Sequence, residues 1–187
     1  MAEDTTVLLR AVRSGDRAAF DQLFALAYDE LRVAAHQRLS RNRSGETLHT
    51  TVLVHEAYVR LVDRTRAELA DRAHFLALAS RAMRFVLIDH LRAAQAEKRG
   101  GAMAAVSLDD VELADEAPDG SDLLALNEAL ERLAGHSPRL AQVIEYRFFG
   151  GLTYEEIAEA LSVSVPTAKR DWVRARAWLF EAMQSDT

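Results

Sequence analysis

The chain contains no cysteine. Disulfides, zinc–thiolate centres and thiol redox switches are excluded with it. Only three prolines and eight glycines interrupt 187 residues, so breaks in regular structure are few. Strand-like alternation and internal repeats are lacking too, and most of the chain carries helical periodicity. No stretch reaches the roughly 20 apolar residues that span a bilayer. Residues 1–13 are mixed in charge and lack the apolar core of a secretion signal. A cytoplasmic protein without membrane attachment is expected. What the chain does have is 49% hydrophobic residues, enough for a packed interior and too many for global disorder.

The formal charge is −6, which on its face disfavours a polyanionic partner. The charge is unevenly placed, however. Asp109, Asp110, Glu112, Asp115, Glu116, Asp119, Asp122, Glu128 and Glu131 follow one another with no Lys or Arg among them. Residues 71–99 and 164–178 each carry a net charge of +3, nearly all of the bases being arginine. Two basic segments flanking an acidic one say more about partners than the sum does.

Breaks and caps divide the chain. Ser14-Gly15-Asp16 separates a short first helix from a second that runs to about residue 39, with Asp16 as its N-cap. A loop over 41–46 precedes a third helix over about 50–64, and a fourth covers about 71–97. Gly100-Gly101 closes the fourth helix, and the acidic stretch after it has little periodicity. Helices resume over about 122–134, 138–149, 153–161 and 165–183. The expected fold is all-α: two small four-helix domains, residues 1–99 and 122–187, joined by an acidic linker over 100–121.

The most specific local pattern lies near the C-terminus. Thr153 stands three residues before Glu156, the spacing of a capping box. Ile157, Ala158 and Leu161 form the buried side of the short helix it opens. A turn over 161–164 follows, then Ser164 as a second cap, with Pro166 in the first turn, where a missing N–H costs little. In the last helix Val165, Ala168, Trp172, Ala175 and Leu179 make one apolar stripe. At about 100° per residue, Arg170 lies opposite that stripe. Pro166, Thr167 and Arg174 lie beside Arg170, with Lys169 and Arg176 flanking them. This is a helix-turn-helix whose second helix offers Thr and Arg to a major groove. Ser162 stands in the turn where glycine would be the easy choice; if left-handed it costs about 1–2 kcal/mol.

On these residues the segment 137–179, including Arg147-Phe148-Phe149-Gly150-Gly151, resembles region four of the extracytoplasmic-function (ECF) sigma factors. The N-terminal half is similar to region two of the same family. Gly15 to Phe24 matches its opening. Val54-His55-Glu56-Ala57-Tyr58-Val59-Arg60-Leu61 matches the helix that docks on the β′ clamp helices of RNA polymerase. Phe75 to Ala79 and Asp89 to Arg92 match the helix of −10 recognition. The resemblance implies a non-catalytic specificity subunit that binds core polymerase through β′ and the β flap. It implies that this subunit recognises −10 and −35 promoter elements and helps open DNA. Carried over by position, Pro166, Thr167, Lys169, Arg170 and Arg174 face the −35 element and Arg147 holds a phosphate. Arg81, Arg84 and Arg92 serve the −10 element, while Glu56, Arg60 and Asp63 meet core polymerase. An anti-sigma factor is a further partner the resemblance admits, and a loop over 63–72 would capture a flipped base. No acidic run precedes the docking helix, where Leu48-His49-Thr50-Thr51 stands instead.

The arginines of the fourth helix have independent support. Phe75, Ala79, Ala82, Met83 and Val86 line one face, and Arg81, Arg84, Arg92 and Arg99 fall opposite. Phe85 and Ile88 lie among them and are expected in the core. Catalysis finds little footing. His55-Glu56 begins like a zinc-protease helix, but position 59 is Val. Glu46-x-x-His49 has no second copy to complete a di-iron site. Neither a metal nor a cofactor is expected. A free-standing operator-binding regulator is the other rival, and it leaves the docking helix and the acidic linker without a task.

Overall fold

A computed structural model describes residues 2–39, 50–64, 71–98 and 120–184 of the chain. Among them every regular element is helical, in the order α1 (Ala2–Arg13), α2 (Arg17–Leu39), α3 (Thr50–Arg64), α4 (Arg72–Lys98), α5 (Gly120–His136), α6 (Pro138–Ile144), a π turn (Glu145–Phe149), α7 (Tyr154–Ala160) and α8 (Val165–Gln184). Most of the linker 100–121, and the loop over 65–70, lie outside the described residues. So do Glu46 and His49.

The N-terminal helices start where their caps stand. Asp16 Oδ1 accepts from the backbone N–H groups of Ala18 and Ala19 at 2.9 and 3.2 Å, and Gly15 turns the chain at φ 91°. Asp71 caps α4 by accepting from His74 N–H at 2.7 Å. Phe20 and Phe24 of α2, Tyr58 of α3 and Phe75 of α4 meet edge-on or tilted, with centroids 4.9–6.3 Å apart. The Tyr58 hydroxyl leaves this cluster to donate to Asp21 at 2.6 Å. That bond and burial push the phenol above its ordinary pKa.

In the C-terminal half α5, α6, α7 and α8 pack around Leu126, Leu130, Leu133, Val143, Ile144, Ile157 and Leu179, all buried. Each such side chain contributes about 1.5–3 kcal/mol by leaving water. The helix expected over 138–149 is α-helical only to Ile144 and then widens into one π turn. Single π turns are frequent where a helix must present side chains at a functional contact.

The two halves do not stand apart. Buried residues of both join one apolar cluster, and α4 is the element between them. Much of its middle is buried: Phe75, Ala79, Met83 and Val86, but also Ser80, Arg84 and Leu87, while Arg81 stays exposed. So wide a buried arc belongs to a helix with neighbours on several sides, which leaves it only a narrow open strip. Gly150 explains how closely they approach. A Cβ there would fall 1.7 Å from Ser80 Oγ, so only glycine fits. Ser80 itself is buried, its hydroxyl donating to the Leu76 carbonyl at 2.7 Å.

Candidate nucleic-acid interface

The helix-turn-helix is built as its sequence dictates. Thr153 Oγ1 accepts from Glu156 N–H at 3.2 Å, while Glu156 Oε2 accepts from Thr153 N–H at 2.9 Å, closing the capping box. Leu161 ends α7 and Ser162 adopts φ 52°. A left-handed serine is a real cost in this turn. Ser164 Oγ accepts from Thr167 N–H at 3.3 Å and shares a hydrogen bond with Thr167 Oγ1 at 2.8 Å. Ala168, Ala175 and Leu179 are fully buried, with Val165 and Trp172 half-buried beside them.

The opposite face of α8 is open. Pro166, Lys169, Arg170 and Arg174 are exposed. Among the described residues Arg170 and Arg174 have no ion-pair or hydrogen-bond partner. Thr167 is half-buried and its hydroxyl is engaged in the Ser164 cap. Arg147 is half-buried; its Nη1 donates to the Leu152 carbonyl at 2.7 Å, and its guanidinium lies 4.8 Å from the centre of the Tyr154 ring. Lys169 Nζ lies 5.6 Å from the same ring. Tyr154 thus sits between two cations beside α8, attracting both through its ring quadrupole. It was not among the residues expected from the sequence. Its signal was its place at the first position of α7, downstream of the aromatic pair Phe148-Phe149.

Asp171 was missed as well. It lies in the apolar stripe, three residues after Ala168 and four before Ala175, and is 0% exposed. Arg139 Nε on α6 stands 2.8 Å from its Oδ2 without the alignment of a hydrogen bond. An acid inside an apolar stripe is the mark that could have found it. The pair holds α8 against α6.

The arginines of α4 divide. Arg81 and Arg92 are exposed, and Arg81 lies 5.8 Å from the Phe85 ring centre. Arg84 departs from the expected basic face: it is 8% exposed and turned into the C-terminal half. Its Nη1 donates to Glu145 Oε1 at 3.0 Å and its Nε to Asn127 Oδ1 at 2.9 Å. The cause is the proximity of α5 and the π turn, which no periodicity within α4 reveals. Ile88 is buried and Phe85 half-buried. Arg99 lies outside the described residues.

A second bridge joins the halves. Arg72 at the start of α4 donates to Glu30 of α2 and, at 2.9 Å, to Glu156 of α7. Burial opposes the charge on Glu156, but the Thr153 N–H, Arg72 and the Thr153 hydroxyl outweigh it and hold the carboxyl below its ordinary range. Arg72 is shifted the other way, upward: burial works against it, and Glu156 and Glu30 prevail.

On α3, Glu56 lies 3.1 Å from His90 Nε2 and Arg60 pairs with Asp89. Both tie α3 to α4. The side chain of Asp63 lies outside the described residues. Val52 and Val59 are 40% and 47% exposed, one helical turn to either side of Glu56. Among the described residues no cluster of His, Asp or Glu could hold a metal ion, and no helix is long and apolar enough to cross a membrane.

A capped helix-turn-helix with an open cationic face, packed on a second helical unit, defines an all-α, two-domain DNA-binding protein. The profile of the ECF sigma factor family matches residues 2–185. The ECF RNA polymerase sigma factor SigK of Mycobacterium ulcerans (strain Agy99) is 30% identical over 175 residues, covering 90% of this chain and 87% of that one. A solved structure of CnrH in complex with the cytosolic domain of CnrY aligns over 98% of this chain and 99% of that one, at 20% identity and a TM-score of 0.42. The chain belongs to the ECF sigma factor family. It is a sigma factor for transcription initiation, of a family whose members are non-catalytic subunits that bind RNA polymerase and promoter DNA.

Proposed function

We propose that the chain docks on core polymerase through α3 and grips one promoter at two places, α4 at −10 and α8 at −35. The observation that carries this is the open face of α8. Arg170 and Arg174 are exposed one turn apart and without partners among the described residues, with Lys169 beside them and Pro166 at the helix start. Arg can bond a guanine edge in bidentate fashion, and free guanidinium groups at the N-terminal half of a second helix suit a major groove. Thr167 and Arg147 play supporting parts. The first completes the cap and the second braces the turn into α7, leaving phosphate contact to the Arg147–Tyr154–Lys169 cluster as a whole.

On the N-terminal side Arg81 and Arg92 supply the exposed cations of the −10 surface, which favours backbone contact with an opened strand. The docking face on α3 combines Glu56 and Arg60 with exposed Val52 and Val59, and Asp63 is a further polar residue given to the contact with core polymerase. Apolar side chains ringed by charges suit a protein partner. The C-terminal domain, residues 122–187, lies near the β flap, and the domain 1–99 lies on β′. The acidic linker 100–121 threads toward the RNA-exit path, where a negative chain suits a basic channel. The β-flap, β′ and anti-sigma surfaces are the protein contacts this function calls for, and the cytoplasm is its setting. A gel shift with and without core polymerase tests the proposal against the free-standing regulator. Specific promoter binding only with core supports it, and equally tight binding without core overturns it.

A further inference from the structure

We propose that the Arg139–Asp171 pair is the register pin of the recognition helix: it fixes the rotation of α8 against α6 and so sets which −35 bases Arg170 and Arg174 can reach. The inference rests on the −35 role proposed for α8. The inward side of α8 is Ala168, Asp171, Ala175, Leu179 and Met183. Leu179 and Met183 key its C-terminal half, where Arg132 of α5 also donates to the Ala182 carbonyl at 3.3 Å. The N-terminal half carries Lys169, Arg170 and Arg174 outward. It buries two alanines and one acid, with Val165 and Trp172 half-buried at the margins. A methyl group lets two helices approach closely but gives little to interlock, and apolar contact has no preferred direction.

An ion pair does have a direction. Arg139 Nε stands 2.8 Å from Asp171 Oδ2. The arginine has a firm base: Pro138 fixes the backbone before it, and Ser137 N–H donates to the Leu133 carbonyl of α5 at 2.7 Å. Asp171 is wholly buried, and neither of its carboxylate oxygens has a hydrogen bond among the described residues. Desolvation of such a carboxylate is offset only in part, so the pair is a poor means of adding stability. Fixing one register among several is the best-attested use of a buried ion pair. A small rotation matters here. With side-chain tips about 5–6 Å from the helix axis, a turn of roughly 20° carries the Arg170 guanidinium about 2 Å, enough to lose a hydrogen bond to a base edge.

Positioning, unlike mere stabilisation, is read in sequence preference. The full-length chain is assembled with bacterial core polymerase and transcribes a promoter library whose −35 segment is randomised. The library is built on a start site mapped from RNA 5′ ends after overexpression. Wild type is compared with Arg139→Lys, which keeps the cation, and with Arg139→Met/Asp171→Leu, which replaces the pair by apolar groups. The apolar pair should keep a cooperative melt and core binding. Its ratio of preferred to average −35 sequences should fall roughly ten-fold, the worth of one bidentate base contact. Arg139→Lys should lose no more than about three-fold of that ratio. An apolar pair with the wild-type ratio, or one that weakens every −35 sequence alike, overturns the pin and leaves the −35 role intact. So does an Arg139→Lys chain that falls as far as the apolar pair. Should the apolar pair fail to fold, Arg139→Gln, altered only at the exposed end of the contact, decides by the same ratio. Wild type with no −35 preference would instead overturn the role of α8 itself, and the pin with it.

Discussion

Arg84 of α4 and Glu145 of the π turn, 61 residues apart in sequence, face each other at 3.0 Å across the boundary between the two halves. Both are buried. Removing either alone strands a charge out of water, at a cost of about 3–5 kcal/mol. Arg84→Met and Glu145→Leu are therefore each expected to lower the unfolding free energy by that order. The double variant should recover a large part of it, since two apolar groups need no partner. A double-mutant cycle by urea denaturation measures the coupling; additive losses would show that the two groups do not share their energy.

The contact between Ser80 and Gly150 makes a sharper steric test. Gly150→Ala places a methyl group where Ser80 Oγ already sits and 2.7 Å from Ser80 Cβ and Leu152 Cδ1. Overpacking of this kind costs about 1–3 kcal/mol. Adding Ser80→Gly vacates the space on α4, so the pair should be more stable than Gly150→Ala alone, as read by thermal unfolding.

The turn of the helix-turn-helix carries strain that can be relieved. Ser162 holds φ 52°, and Ser162→Gly should raise stability by about 1 kcal/mol. For a chain of this length that is roughly 2–4 °C in melting temperature. In the other direction Thr153→Ala removes the reciprocal bonds with Glu156 and should cost about 0.5–2 kcal/mol.

Acid should loosen the molecule at a definite place. Glu156 is depressed below its ordinary value by the Thr153 N–H, Arg72 and the Thr153 hydroxyl, against the opposing effect of burial. A group with a lowered folded pKa contributes stability that is complete above its unfolded value, 4.5. That stability is lost as pH falls through the lower folded value. The melting temperature of the wild type should therefore drop as pH is lowered below about 4.5. In Glu156→Gln the wild-type excess over the variant should shrink across the same interval, and a constant difference would mean that Glu156 does not titrate there.

Much of this architecture is legible in the sequence, and the reason is local. Asp16, Thr153 with Glu156, and Ser164 announce helix starts through bonds spanning two or three residues, and all three form. The stripe from Val165 to Leu179 is a property of one helix, and so is the exposure of Arg170 and Arg174. What could not be read is whatever depends on residues far away in the chain. Arg84 belongs to a basic face by periodicity, yet its partners stand 43 and 61 positions on. Arg72 is bound to Glu156 across 84 positions. The π turn and the burial of Asp171 likewise follow from how α6, α8 and α4 press together, which a helical wheel does not contain.

The −35 surface is tested by Arg170→Ala and Arg174→Ala. Each removes a free, exposed guanidinium and should reduce −35-dependent transcription by about ten- to hundred-fold, the worth of a bidentate base contact. Core binding should be unchanged, and its loss in either variant would mean that this face of α8 meets polymerase rather than DNA.

The most direct measurement is association of the purified chain with bacterial core polymerase stripped of its own specificity subunit, followed by transcription from a mapped promoter. A stable complex that starts RNA at one site is the predicted result. Failure to bind core, with or without DNA present, would contradict it.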